Sequence, residues 1–326
     1  MSPDPGVAAV GLVARAVAAP SSHNTQPWLF EIEGDAITLI ADRTRALPVN
    51  DPDDRELTIS CGAALLNLRV AARATGLDSD VDPLPDGDQA DRLAVVRLRA
   101  GAPASAAERE LDAAIERRRT YRGILLDRPV AVPLGHAIDA AVGAEGASLL
   151  TIVGDDERQE LIELVIEGDH RHFDDRSWRR ELAAWMHPRR DRDGLAFAPM
   201  ALPVARLAVT AFDLGGSTGT RDSVNAAEAP LLVVLATSGD GPRDWLIAGQ
   251  AMQRALLVAA AAGLQASFLN QPVQVDDLRP RLARLVGCVH PQLVLRFGYP
   301  PPYELPAMRR RPVEDVLGRA TPPAPS

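Results

Sequence analysis

Between Val7 and Ala18 apolar residues recur at three- and four-residue spacing, with Gly11 and Arg15 as the interruptions, and this predicts an amphipathic helix. The stretch Pro20-Ser21-Ser22-His23-Asn24-Thr25-Gln26-Pro27-Trp28 then breaks the helical period with two prolines and a run of polar side chains. Leu29 to Ile40 alternates around Gly34-Asp35, as a hairpin does. Ile59 to Thr75 returns to helical spacing, rich in Ala and Leu, and stops at Gly76. A Pro/Asp-rich loop and a short strand, Leu93 to Leu98, complete this series.

The same order recurs later in the chain. Ala227 to Thr237 reads as a buried strand, Trp245 to Ala262 as a buried helix ending on Gly263, and Gln292 to Phe297 as a strand. Setting Gly62 against Gly249 without gaps pairs Ala64 with Ala251, Leu65 with Met252, Ala72 with Ala259, and Gly76-Leu77 with Gly263-Leu264. Ala-rich helices match one another readily, but the strands that follow in both copies argue for an internal repeat. Asp169 to Met200 has no counterpart in the first series; with Trp178, Trp185, Met186 and many charged residues, it reads as an inserted helical arm or lid.

At 326 residues, 46% hydrophobic and 24% charged, the chain is globular and long enough for two cores. No apolar run approaches the ~20 residues that span a bilayer, so no membrane is expected. The formal net charge of -9 argues against nucleic acid as a partner. The chain contains no lysine, so any phosphate contact falls to arginine, main chain or hydroxyl. Asp4 and Arg15 are at odds with a signal peptide, and Cys61 and Cys288, without disulfide or metal spacing, read as reduced core thiols in a cytoplasmic protein. His170, His172 and His187 stand in a charged stretch with no cysteine nearby, and no metal site is expected there. Gly215 to Thr220 reads as a loop rather than a nucleotide cradle, because no basic residue accompanies it.

Two segments carry candidate chemistry. Ser21, Ser22, Asn24 and Gln26, with His23 among them, offer hydroxyls and carboxamides that both donate and accept, which suits a polar planar ligand; a helix-capping loop has the same composition. Arg117-Arg118-Arg119-Thr120-Tyr121-Arg122 concentrates guanidiniums. On a continuing helix Arg118 and Arg122 would share a face and could clamp a phosphate, although a solvated basic helix end is the alternative.

The pattern S-x-x-N-x-Q-P-W over Ser21 to Trp28 resembles the FMN-contacting loop of the nitroreductase superfamily. Arg118-Arg119-Thr120-Tyr121-Arg122 resembles that family's R-R-S-x-R segment, which grips the FMN phosphate, with Thr120 in place of serine. Gly298-Tyr299-Pro300 followed by Arg309-Arg310-Arg311 resembles its basic C-terminal segment. The family uses a loop from one subunit and arginines from the other. Here the loop occurs once, early, and the arginine motifs once, late, while Val142 to Leu149 stands where a second loop would be. The closest likeness is to the Acg-type group of NAD(P)H nitroreductases.

The resemblance implies an α+β, nitroreductase-like fold with two pseudo-two-fold-related halves, residues 1–112 and 113–326, mimicking the family homodimer within a monomer that could associate further. It implies FMN held by Ser21, Ser22, Asn24, Gln26, Arg118, Arg119, Thr120, Arg122, Arg309 and Arg310, with catalysis centred on the flavin and no metal. It also implies NAD(P)H as hydride donor and a nitroaromatic or quinone as the small-molecule electron acceptor. The alternative expectation is a protein that binds or sequesters FMN under the arm with little turnover.

Overall fold

The structure is a computed structural model that describes residues 5–188, 192–197, 201–211, 229–302 and 309–318. Gly215 to Thr220 lies outside these residues.

In chain order, α1 (Pro5–Ala16) leads through the polar loop to the hairpin β1 (Trp28–Glu33) and β2 (Ala36–Ala41). The hairpin turns at Gly34, whose φ of 61° lies in the left-handed region that favours glycine. Then follow α2 (Arg55–Ala74), β3 (Leu77–Pro83), β4 (Arg92–Ala100) and α3 (Ala106–Arg117). The β3 strand was expected to be loop: its Asp-rich, mostly half-exposed sequence hides it, and pairing with β4 from Leu77–Ala100 to Pro83–Ala94 creates it. Ser105 and Glu108 form a reciprocal cap that starts α3.

The next series is α4 (Val132–Gly143), β5 (Ser148–Thr151), α5 (Asp155–Asp174), α6 (Arg176–Ala184), a parallel pair β6 (Met186–Pro188) and β7 (Leu195–Phe197), and α7 (Leu202–Ala211). β8 (Leu231–Thr237), α8 (Pro242–Ala261), β9 (Gln265–Phe268), α9 (Gln271–Gln274), α10 (Arg279–Val286) and β10 (His290–Gly298) complete it. The inserted arm therefore begins inside α5 rather than at its own boundary.

Among the described residues the strands form two four-stranded sheets, ordered β1-β2-β4-β3 and β5-β8-β10-β9. Matched in chain order, the two are the same arrangement, and α1 before β1 corresponds to α4 before β5. The expected helices α2 and α8 are buried along nearly their whole length, with glycine and alanine where they meet. They share one core with the inner faces of both sheets, in which Leu65, Ala251, Ile37 and Leu295 are essentially inaccessible. Helices buried over so much of their length find partners only in a central layer, and their polar residues, such as Asn67 and Gln253, pair with each other there. Both helices end on left-handed glycines, Gly76 (φ 80°) and Gly263 (φ 83°).

Two irregular segments add to free sheet edges. The tail adds to the free edge of β1, where Phe30 N donates to Val316 O (2.7 Å) and Gly318 N to Phe30 O (2.8 Å). The segment after α3 lies on the edge of β9, where Tyr121 N donates to Ala266 O (2.9 Å). Among the described residues no helix is long and apolar enough to cross a membrane. Cys61 is buried, whereas Cys288 is only half-buried, so one of the two expected core thiols sits nearer the surface.

Candidate functional site

Between α1 and β1 the loop is tightly wound. His23 (φ 49°), Asn24 (56°) and Gln26 (52°) all adopt left-handed backbone without being glycine. Each such residue costs about 1 kcal/mol or more, so neighbours must hold the loop. Ser21 Oγ accepts from Gln26 N (2.9 Å), and Ser22 Oγ donates to Glu56 Oε2 (2.6 Å). The connection from α4, which ends at Gly143, to β5, which begins at Ser148, is too short for such a loop.

The Arg segment departs from the expected helix face. α3 stops at Arg117, and Arg118 is extended (φ -61°, ψ 128°), so Arg118 and Arg122 do not stack at i and i+4. Gln265 ends the helix by bridging: its Oε1 accepts from Arg119 N (2.7 Å) and its Nε2 donates to Arg117 O (3.2 Å). Thr120 then forms a β-bridge to Ala266. Arg296, 1% exposed within β10, donates to the carbonyls of Tyr121 (3.2 Å) and Gly123 (2.7 Å) and to Ser267 Oγ (2.6 Å). Extended chain turns Arg118 inward (5% exposed), while Arg119 is half-buried and Arg122 exposed.

The tail brings in the remaining arginines. Arg310 is half-buried and its Nη1 donates to Asn24 Oδ1 (3.0 Å), whereas Arg309 is exposed. Arg311, not among the expected residues, is the clamp: its N donates to Gln26 Oε1 (2.7 Å) and its Nη1 to Gln26 O (3.1 Å) and Asp42 Oδ2 (3.4 Å).

These three segments make one electropositive centre. Burial, followed by the charges of Arg310 and Arg119, pulls Arg118 down to about 9, and burial with Arg119 pulls Arg310 down to about 10. Burial, with a contribution from Arg122, lowers His23 to about 4, so its imidazole is neutral at pH 7. Among the described residues the buried Nε atoms of Arg118 and Arg310 and Nδ1 of His23 have no hydrogen-bond partner. Guanidiniums gathered in low dielectric with donors to spare fit an oxyanion, and the phosphate of the expected FMN meets that requirement.

Behind the loop lies a buried polar cluster that sequence reasoning missed. Glu56, 3% exposed, accepts from Ser22 and from Gln274 Nε2 (2.8 Å). Asp51 accepts from Glu56 N (3.0 Å) and Leu57 N (2.8 Å) at the start of α2; burial and the Glu56 charge push it up to about 7. His172, lowered to about 4 chiefly by burial, stacks on Trp178 at 4.7 Å, while His170 is exposed. The only sequence signal was acidic residues ahead of a buried helix.

The arm rests on this region. Glu181 accepts from Val49 N (2.9 Å) and Asn50 N (2.8 Å), and Trp178 Nε1 donates to Asn50 Oδ1 (2.8 Å). Asn24 Nδ2 donates to Gly194 O (3.3 Å), Gln26 Nε2 donates to Arg192 O (2.9 Å), and Arg45 pairs with Asp193. Both loop carboxamides are thus committed, on the donor side to the arm and on the acceptor side to the tail.

No protein-family model matches the chain. It is 32% identical over 309 residues, 93% of its length and 88% of the relative's, to a Mycobacterium tuberculosis H37Rv protein named "Putative NAD(P)H nitroreductase Rv3131". It is 28% identical over 305 residues, 92% of each chain, to that organism's "Putative NAD(P)H nitroreductase acg". Among solved structures it is similar to a variant of the FMN and NADPH-dependent nitroreductase NfnB from a Sphingopyxis strain (TM-score 0.42, 17% identity, covering 64% of this chain and 98% of that one). It is also similar to the NADPH:FMN oxidoreductase of Vibrio harveyi in complex with NAD+ (TM-score 0.40, 13% identity, 67% and 80%). On the extent of its identity to the first of these relatives, the chain belongs to the NAD(P)H nitroreductase family.

Proposed function

We propose that the chain binds one FMN between two nitroreductase-like halves, residues 1–112 and 113–326, and acts as an NAD(P)H-dependent oxidoreductase. The matching strand orders of the two sheets support an internal duplication, with the monomer standing in for the family dimer. The observation that carries the cofactor reading is the meeting of Arg118 and Arg310, each buried enough to be depressed and each with an Nε that has no partner among the described residues.

Bound FMN would supply the redox chemistry, accepting hydride from NAD(P)H and passing two electrons to a small acceptor such as a nitroaromatic or quinone. The chain's part is to bind and orient. Arg118 and Arg310, with Arg119 and Thr120 beside them, would hold the phosphate; Arg122 and Arg309, both exposed, would close its outer side. Asn24 and Gln26 would border the ring and ribityl chain, with Ser21 and Ser22 fixing their loop. The test is the visible spectrum of protein incubated with FMN and desalted: a retained flavin band, lost in the Arg118→Ala/Arg310→Ala double variant, is expected, and a colourless wild type would sink the reading.

One observation favours a second reading, FMN sequestration with little turnover. The arm's backbone carbonyls at Arg192 and Gly194 already hold the carboxamides of Gln26 and Asn24. Stopped-flow mixing with NADPH separates the two: rapid bleaching with reoxidation by a quinone supports the enzyme, and retained flavin that stays oxidised supports sequestration.

A further inference from the structure

A second arginine-lined cavity lies apart from the candidate flavin site. It has a volume of 420 Å³ and sits between the start of β3, the C-terminal half of α2 and α3, with Arg254 of α8 reaching in. Its place in the repeat is informative. Counting from Gly76 and Gly263, Asp78 and Ser79 correspond to Gln265 and Ala266, the residues on which the Arg117 to Tyr121 segment lies. In the first half the corresponding strand edge lines this cavity instead.

The cavity's chemistry is that of an anion site with an apolar wall. Arg69, Arg73, Arg99 and Arg254 line it, and Asp78, Glu108 and Glu145 are the carboxylates paired with them. Four cations against three anions leave a positive charge in a chain of formal charge -9. The guanidiniums are not equally committed. Arg73 is fully engaged, by Glu108 and the carbonyls of Ala102 and Pro103. Among the described residues Arg69 uses only Nη1, toward Glu145 (2.6 Å) and Gln250 (2.7 Å), which leaves Nε and Nη2. Arg254 is held by Glu145 through Nε and Nη2, and Arg99, its side chain 68% exposed, reaches Asp78 at 3.1 Å. Val70, Leu77 and Leu111 supply the apolar side.

We propose that this cavity binds a small organic oxyanion, a carboxylate or phosphate on an apolar body, with Arg69, Arg99 and Arg254 taking the charge. A volume of 420 Å³ lies within the range of small-molecule sites and is too generous for a bare ion. Guanidinium donors in a fork match both oxyanions, and Glu145, 6% exposed, holds Arg69 and Arg254 side by side in advance of the ligand.

Isothermal titration calorimetry of the full chain, with FMN in excess, uses benzoate and phenyl phosphate as probes, and comparison of the two tells carboxylate from phosphate preference. Saturable binding of at least one probe is expected, weakened about tenfold or more by Arg99→Glu, an exposed position where the fold should tolerate the change. Arg69→Lys keeps the charge beside Glu145 but loses the fork, and it should weaken binding too. Arg118→Ala should leave probe affinity unchanged. Absence of saturable binding up to about 10 mM, a response indifferent to both Arg99→Glu and Arg69→Lys, or loss of binding in Arg118→Ala would each overturn the proposal.

Discussion

Gly62 and Gly249 lie against each other where α2 crosses α8: a Cβ added to Gly62 would come within 3.0 Å of the Gly249 Cα, and one added to Gly249 within 2.9 Å of the Gly62 Cα. The same hypothetical atoms would run into the carbonyls of Leu246 and Ile59, so backbone packs on backbone at the crossing. These are also the two residues paired when the two helices are aligned without gaps, so the contact joins positions that the proposed duplication makes equivalent.

Substitution at this crossing should be costly. Gly249→Ala forces the helices apart, and overpacking of this kind destabilises by about 1–3 kcal/mol. The urea midpoint should fall accordingly, and Gly11→Ala, where an added Cβ meets nothing, should leave it nearly unmoved. Equal midpoints for the two variants would mean that the α2–α8 approach is not tight.

Flavin affinity should divide the arginines by burial. Arg118→Ala or Arg310→Ala is expected to weaken FMN binding about 10- to 100-fold, the loss typical of a charge-assisted contact out of water. Exposed Arg309→Ala should change it by only a few fold. Fluorescence titration of flavin would read both, and an Arg309 effect as large as that of Arg118 would assign the phosphate to the outer arginines.

Arg296 supports the motif from behind. Arg296→Met removes the donor to the Tyr121 and Gly123 carbonyls and to Ser267, leaving buried acceptors unmatched, and should lower stability by about 2–4 kcal/mol. Flavin retention at low temperature, where the variant remains folded, should also fall, because the Arg118 to Arg122 strand loses its anchor. Unchanged retention would separate the two roles.

Acid should weaken the fold through its buried histidines. His23 and His172 are both lowered to about 4, while an unfolded histidine titrates near ~6.5. Between those values the unfolded chain holds protons that the folded one does not, so their contribution is fully present above ~6.5 and shrinks as pH falls toward 4. Asp51, pushed up to about 7, works in the opposite sense between 7 and ~3.9, and two groups against one leave a net loss in acid. His172→Gln should therefore lose less stability than wild type between pH 7 and 5. Parallel denaturation profiles would remove His172 from this account.

The arm's attachment can be read at two amides. Glu181→Ala deletes the acceptor of Val49 N and Asn50 N, so exchange at both should quicken by about tenfold or more. Slow exchange in that variant would show that Trp178 and the Asp193 pair hold the arm without Glu181.

The periodicity of the chain determined a great deal on its own. α2 declared itself as a helix through apolar residues at helical spacing and α8 as a buried one, and each stops on the glycine its sequence marked, Gly76 and Gly263. Ser21 to Trp28 and Arg118 to Arg122 were legible as candidate binding segments because their polar and basic side chains are out of keeping with the elements around them. What sequence could not decide was direction and partnership. Whether Arg118 continued a helix or turned inward depended on Gln265, far along the chain, capturing the backbone at Arg117 and Arg119. β3 exists because β4 pairs with it, not because its own residues favour a strand. Arg296 carries no local signal, and Arg311 and Glu56 carry only that of a basic tail and an acidic helix start, since a charged residue becomes a clamp only when folding removes it from water and supplies its partners. Local pattern is set by neighbours in sequence, and the chemistry of this site is set by neighbours in space, which only tertiary packing brings together.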